Sequence, residues 1–98
     1  MERKYVFSTR EEWEAKGKEL FGEYYEDWKF KCPKCGNIAT GEKYKALGLT
    51  PNAMYSECIG RYDKTHGCDW HANGLFDICT TQVGDTPVFD FAYEQANA

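Results

Sequence analysis

Two cysteines held two residues apart, in Cys–Pro–Lys–Cys–Gly at residues 32–36, constrain this chain more than any other feature. This spacing is typical of a zinc knuckle, a tight turn that points two thiolates at one metal ion. Gly36 lets the backbone fold beneath the sulfurs. Because structural zinc takes four ligands, the pair is half of a site. The other cysteines and the histidines are the candidates for the second half: Cys58, His66, Cys68, His71 and Cys79.

Size and composition favour a metal-stabilised domain. The 98 residues fit a single domain, 1–98, and aromatic residues reach 16% whereas branched aliphatic residues are few. A core this small benefits from a metal staple. Neither a signal peptide nor a membrane-spanning run is evident, which predicts a cytoplasmic protein with reduced thiols. Five cysteines fit a four-ligand site and one spare thiol better than a disulfide framework.

A helix is predicted over residues 9–21. Ser8 and Thr9 each precede a glutamate by three positions, which is the capping-box pattern, and Gly22 can end the helix. Its buried face is predicted from the residues at helical spacing: Trp13, Gly17, Leu20 and Tyr24.

The rest of the chain predicts short strands. Residues 28–31 lead into the first knuckle and 37–39 return from it, while 54–62 are predicted to be extended. Residues 75–83 are predicted to form the longest strand, paired with 87–91 in a C-terminal β-hairpin over about 75–92. The predicted fold is α+β: an N-terminal helix packed on a small antiparallel β-sheet with a zinc-ribbon-like metal site.

The second half-site is predicted within residues 58–68. Cys58 and Cys68, separated by nine residues, would complete a closed four-thiolate set with Cys32 and Cys35. The alternative is that His66 or His71 replaces one of these two cysteines. Cys79 stands in a β-rich run and is predicted to behave as a small buried hydrophobic residue.

Catalysis is not expected. A redox Cys–Pro–Lys–Cys pair would need its first cysteine at a helix N-terminus, whereas Gly36 and Asn37 would break a helix here. Four thiolates leave no coordination position for a reactive water, so a metal-dependent enzyme is only a minor alternative. The sequence also has no His-x-Glu, His-Glu-x-x-His, phosphate-loop or serine-elbow motif.

Aromatic and basic residues around the second half-site form a candidate binding surface: Arg61, Tyr62, Lys64, Trp70 and His71. Such a loop can stack bases and contact phosphates, which makes a nucleic-acid-binding zinc ribbon the main alternative function. The structural interpretation is that Trp70 covers the metal and Arg61 pairs with a carboxylate. The formal charge of −4, which four thiolates and one zinc ion would make more negative, disfavours nucleic acid. A surplus of aromatic residues favours a partner surface or a homodimer instead.

In its motifs the chain resembles a family of small uncharacterised proteins encoded by phages and prophages. The matching blocks cover nearly the whole chain in order: Glu12-Trp13, Gly17, Leu20-Phe21-Gly22, Trp28-x-Phe30-x-Cys32-Pro33-x-Cys35-Gly36, Cys58-x-Gly60-Arg61-Tyr62, Gly67-Cys68-Asp69-Trp70, Gly74-Leu75-Phe76 and Val88-Phe89-Asp90-Phe91. The resemblance implies a phage origin and the host cytoplasm, and it favours Cys58 and Cys68 over the histidines. In that family no cysteine is expected at the position of Cys79, and the family has no established activity.

The predicted function is therefore a phage-encoded binding module with one structural zinc ion. It would act through contacts with a host or phage protein, and the acidic charge makes basic host proteins the natural partners. No membrane association is expected.

Overall fold

The computed structural model describes residues 4–65, 67–72 and 78–96. Helix α1 spans Arg10–Phe21. Thr9 is its N-cap, because the Thr9 hydroxyl accepts a hydrogen bond from the Glu12 N–H at 3.2 Å. Gly22 ends the helix with a positive φ of 106°, which glycine adopts readily, and its N–H donates to the Lys18 carbonyl.

Six short strands form two three-stranded sheets. Strands β1 (Tyr5–Phe7), β4 (Thr81–Val83) and β5 (Thr86–Val88) form the first, in the order β1-β4-β5, with β1 parallel and β5 antiparallel to β4. Strands β2 (Lys29–Lys31), β3 (Ile38–Thr40) and β6 (Asp90–Phe91) form the second, in the antiparallel order β3-β2-β6. The α+β fold class predicted from the sequence is confirmed.

Two further short helices connect β3 to the second half-site. Helix α2 (Gly41–Ala46) begins after Thr40, whose hydroxyl accepts from the Lys43 N–H. Helix α3 (Pro51–Met54) has proline at its first position, where the missing N–H costs nothing. Among the described residues, no helix is long and apolar enough to cross a membrane.

Aromatic rings make most of the core between α1 and the second sheet. Trp13 stacks on Phe91 with ring centroids 5.7 Å apart, and it meets Trp28 and Tyr55 edge to face. Phe30 lies 5.0 Å from Phe91 across the β2-β6 pair. Packed aromatic rings therefore fill the core that aliphatic side chains fill in most small domains.

The C-terminal prediction needs two corrections. Residues 73–77 lie outside the described residues, but Ile78 and Cys79 are not in a strand, so β4 is shorter than predicted. The segment that follows does not form one hairpin partner, because Thr86–Val88 pairs with β4 whereas Asp90–Phe91 pairs with β2. The chain changes sheet at Phe89, whose side chain is fully buried.

The segment after α3 and the position of Tyr24 also differ from the prediction. Residues 54–62 are not extended, because Met54 ends α3 and Ile59–Arg61 form a 3₁₀ turn. Tyr24 is not on the buried face of α1: it follows the glycine stop and is 71% exposed. Phe21 is buried instead.

Replacing Gly17 by alanine should destabilise the metal-loaded protein. Gly17 lies in α1, where alanine normally gains about 1 kcal/mol over glycine. Here a Cβ would lie 2.7 Å from ring atoms of Trp28, which is buried and held by a hydrogen bond from its Nε1 to the Gly22 carbonyl. Overpacking of this kind should outweigh the helix gain and cost about 1–3 kcal/mol net.

Urea unfolding of Gly17→Ala, compared with the exposed helix variant Lys18→Ala, measures this cost. The close packing of α1 on Trp28 would be contradicted by a Gly17→Ala protein as stable as wild type.

Candidate metal centre

The first knuckle is the turn between β2 and β3. The Cys32 N–H donates to the Asn37 carbonyl at 3.0 Å, and the Gly36 N–H donates back to the Cys32 carbonyl at 2.9 Å. Gly36 has a φ of 77°, which an L-residue rarely adopts. The Asn37 N–H also lies 3.5 Å from the Cys35 sulfur, as a donor to thiolate would. The turn thus places both sulfurs on one side of the hairpin.

The second half-site is built on a pair of neighbouring backbone segments. Glu57 and His71 form an antiparallel bridge, and the Cys58 N–H donates to the Trp70 carbonyl at 3.0 Å. This pairing brings Cys58 and Cys68 together, although nine residues separate them in the chain. The Cys68 N–H donates to the Cys58 sulfur at 3.2 Å. N–H groups therefore face sulfurs in both halves of the cluster.

The structure brings together the four cysteines predicted from the sequence, Cys32, Cys35, Cys58 and Cys68, with sulfurs within 4.8 Å of one another. The distance is 3.8 Å for the Cys32–Cys68 pair and for the Cys35–Cys58 pair. Ligands at about 2.3 Å from a tetrahedral zinc ion stand about 3.8 Å apart. The four thiols therefore fit one tetrahedral ion, and they would hold it with sulfur alone.

The cluster is closed on one side and accessible on the other. Cys32 and Cys58 are 2% and 1% exposed, whereas Cys35 lies at the surface and Cys68 is half-buried. On the buried side Tyr44 lies behind the sulfurs and donates from its hydroxyl to the Glu57 carbonyl at 2.6 Å. Tyr44 thereby holds the segment that leads into Cys58.

Burial and hydrogen bonds affect the thiols unequally. Burial raises the pKa of Cys32 and of Cys68 above the ordinary thiol value. At Cys35 burial acts in the same direction, but hydrogen bonds from the Asn37 N–H and the neighbouring thiols outweigh it and lower the pKa. Burial, then the charges of the nearby cysteines, raises the pKa of Tyr44, so its hydroxyl stays protonated. Metal-free protein at neutral pH therefore holds protons on Cys32 and Cys68 that a metal ion must displace.

Two glycines make the second half-site sterically feasible. A Cβ on Gly60 would lie 2.4 Å from both the backbone nitrogen and the carbonyl oxygen of Cys68. A Cβ on Gly67 would lie 2.6 Å from the Cys58 sulfur, and Gly67 also has a φ of 75°. The sequence prediction missed these roles and that of Tyr44. The signal for the glycines was their position near the ligands, since Gly60 is two residues after Cys58 and Gly67 directly precedes Cys68.

The alternative ligands do not join the described cluster. His66 lies outside the described residues. His71 pairs through its backbone with Glu57, and the metal-binding group found among the described residues consists of cysteines only. Cys79 is fully buried and is not a member of this group.

The candidate binding loop is engaged within the protein. The Arg61 Nε lies 3.1 Å from the Glu57 carboxylate, and its Nη1 donates to the Asp69 carbonyl at 3.1 Å. The Tyr62 hydroxyl donates to the same Glu57 carboxylate at 2.6 Å. These contacts order the loop, and they leave Arg61 less available to an external anion.

Trp70 also has a structural partner. Its ring is half-buried and stacks on Phe89 at 5.6 Å between centroids, with 26° between the planes. Lys64 is exposed. Of the predicted surface, Tyr62 and Lys64 are the most accessible members.

Metal affinity should rise with pH. Thiols must lose their protons to bind metal, and the raised pKa values of Cys32 and Cys68 keep both thiols protonated throughout the neutral range, so metal binding there releases their protons. Acidification should release the metal, and the affinity should fall about tenfold per pH unit for each proton displaced. Competition with a zinc chelator between pH 6 and 8 measures the slope. A pH-independent affinity would contradict binding by thiolates.

Comparison with known proteins places the chain in one family. Its sequence matches the model of the VVA0879-like family over residues 9–92, which include all four clustered cysteines. No curated protein and no solved structure matches the chain significantly. Because the matched segment covers most of the 98 residues, the chain belongs to the VVA0879-like family.

Proposed function

We propose that this chain is a phage-encoded, non-enzymatic module that one structural zinc ion holds together and that acts through protein–protein contacts. The observation that carries the proposal is the four-cysteine cluster, whose sulfurs all lie within 4.8 Å of one another and include two pairs 3.8 Å apart, the spacing around a tetrahedral zinc ion. The cluster joins the β2-β3 turn to the segment after α3, so an ion would fasten two halves of the chain. The phage origin rests on the motif resemblance alone.

Zinc is the metal we propose, although sulfur ligation also suits iron. Both ions accept four thiolates in tetrahedral geometry, and zinc is the usual occupant of closed structural sites. Elemental analysis of the purified protein distinguishes them, and one equivalent of zinc is the expected result. Iron would also give visible absorption, which zinc does not. A protein that carries neither metal after reconstitution would overturn the proposal.

The absence of catalysis is part of the proposal. Four thiolates fill a tetrahedral coordination sphere, so no position remains for a metal-activated water. Among the described residues, neither a histidine nor a carboxylate joins the ligand cluster, and such groups would be the natural general bases.

Contacts with a basic protein are favoured over contacts with nucleic acid. The formal charge is −4, and binding zinc through four thiolates adds further negative charge. Arg61, the arginine of the candidate loop, is engaged with Glu57 and Asp69. We therefore propose a basic host or phage protein in the host cytoplasm as the partner. A second copy of the chain is the alternative, and the surplus of aromatic residues, not the charge, favours it.

Affinity capture from infected host cells tests this part. Zinc-loaded protein should retain a specific basic protein that an unrelated acidic zinc protein of similar size does not retain. Sedimentation of the purified protein reports any homodimer. Tight binding to DNA or RNA at low salt, where phosphate contacts are strongest, would instead favour the nucleic-acid function.

A further inference from the structure

A cleft bordered by two rings of the aromatic core, Trp13 and Tyr55, is a candidate small-molecule site. It lies between the start of α1, the end of α3 and the β4-β5 hairpin, and its cavity is about 280 Å³. The residues that matter here are Ser8, Arg10, Trp13, Tyr55, Thr86 and Val88. We name it the Arg10 cleft. None of these residues belongs to the cysteine cluster.

Arg10 supplies positive charge in an acidic protein. Among the described residues, those lining the Arg10 cleft include one cation and no carboxylate. The guanidinium lies over the rings of Trp13 and Tyr55, with its carbon 5.8 and 6.0 Å from their centroids. Its side chain is 58% exposed; its Nε is paired with the Glu14 carboxylate at 3.4 Å, and it also shares a side-chain hydrogen bond with Tyr55. These two contacts use part of the guanidinium and leave the rest of its five N–H donors available to an anion.

The aromatic wall of the cleft contains an unsatisfied donor. The Trp13 indole N–H is buried and finds no hydrogen-bond acceptor among the described residues. By contrast, the Trp28 indole N–H is satisfied by the Gly22 carbonyl. The indole nitrogen has almost no accessible surface, so it lies beneath the wall of the cleft and does not bond directly to a ligand there. Its N–H signal therefore reports on the surroundings of the Trp13 ring, which lines the cleft.

We propose that the Arg10 cleft binds a small carboxylate with a compact apolar body, its carboxylate at Arg10 and its body against Trp13, Tyr55 and Val88. The volume sets the size, because a cavity of about 150 Å³ holds benzene and 280 Å³ leaves room for a ring with a short acid chain. The hydroxyl groups of Ser8 and Thr86 at the polar wall can donate to the second carboxylate oxygen.

Nuclear magnetic resonance on ¹⁵N-labelled, zinc-loaded protein tests this with 3-phenylpropionate as the probe. The Trp13 indole N–H signal should shift saturably while the hydrogen-bonded Trp28 signal stays nearly constant. The matched neutral ligand, 3-phenylpropanamide, should bind at least about tenfold more weakly, because it lacks the charge that Arg10 recognises. Equal affinities for the acid and the amide would overturn the proposal.

Protein variants locate the site. Arg10→Gln should weaken binding of 3-phenylpropionate about tenfold or more. The control Lys16→Gln removes a different cation of α1, one that is paired with Glu19, and it should leave the affinity unchanged. Thr86→Tyr should fill the cleft and abolish binding. For each variant, an amide spectrum like that of wild type away from the substitution shows that the fold is intact. The proposal fails if 3-phenylpropionate causes no saturable shift, or if Arg10→Gln and Lys16→Gln behave alike.

Discussion

Replacing Cys58 by serine is expected to abolish tight zinc binding and to unfold most of the domain at room temperature. Cys58 is 1% exposed, and its sulfur lies 3.8 Å from that of Cys35 and accepts from the Cys68 N–H. Structural zinc contributes about 10–16 kcal/mol of binding free energy in small domains, as much as the whole stability of a typical protein. A loss of about 4 kcal/mol or more should lower the Tm by at least roughly 15 °C.

Elemental analysis and thermal unfolding of Cys58→Ser measure the two effects. Cys79→Ala is the matched control, because Cys79 is equally buried but outside the cluster. It should keep one equivalent of zinc and lose only about 1–2 kcal/mol. A chelator should unfold wild type and Cys79→Ala alike. If Cys58→Ser retained zinc, or if chelation left the fold intact, the cluster would not be the staple proposed here.

Local chemistry explains what the sequence could predict. The capping box of α1 and the first knuckle each depend on residues within a few positions of one another. Such features form in the same way wherever the segment lies in the fold. The ligand set was predictable for a related reason, since few residue types bind zinc and the chain contains few of them.

Long-range pairing explains what could not be predicted. Nothing near residues 86–91 shows that Thr86–Val88 joins β4 whereas Asp90–Phe91 joins β2. Short strands carry too few alternating residues to fix their partners, so packing decides the register. Tyr24 was misplaced for a simpler reason: helical spacing was continued past Gly22, where the helix ends.

The Arg10 cleft was also invisible in the sequence. Arg10 and Trp13 belong to the first helix, Tyr55 follows the third, and Val88 ends a strand of the hairpin. Trp13 was predicted to be a core residue, and its ring is buried. What the helical pattern could not show is that its indole N–H lacks an acceptor beside a cavity.

Replacing Gly60 by alanine should damage the metal centre although no ligand changes. The new Cβ would lie 2.4 Å from the backbone nitrogen and oxygen of Cys68 and 2.6 Å from the carbonyl carbon of Gly67. These are backbone atoms, so they cannot rotate away, and the segment carrying Cys68 must move as a whole. We expect a loss of about 2–4 kcal/mol and zinc affinity at least about tenfold weaker, because the sulfurs no longer meet with tetrahedral spacing.

Gly48→Ala separates this steric effect from backbone strain. Gly48 has a φ of 78°, but an added Cβ would have no atom within 4 Å, so alanine there should cost only about 1–2 kcal/mol and leave zinc affinity unchanged. Chelator competition and urea unfolding of both variants give the comparison. If Gly60→Ala binds zinc as tightly as Gly48→Ala, the close approach of the two ligand-bearing segments is not what shapes the site. If only Gly60→Ala loses affinity, the absence of a side chain at position 60 is part of what positions Cys68 at the metal centre.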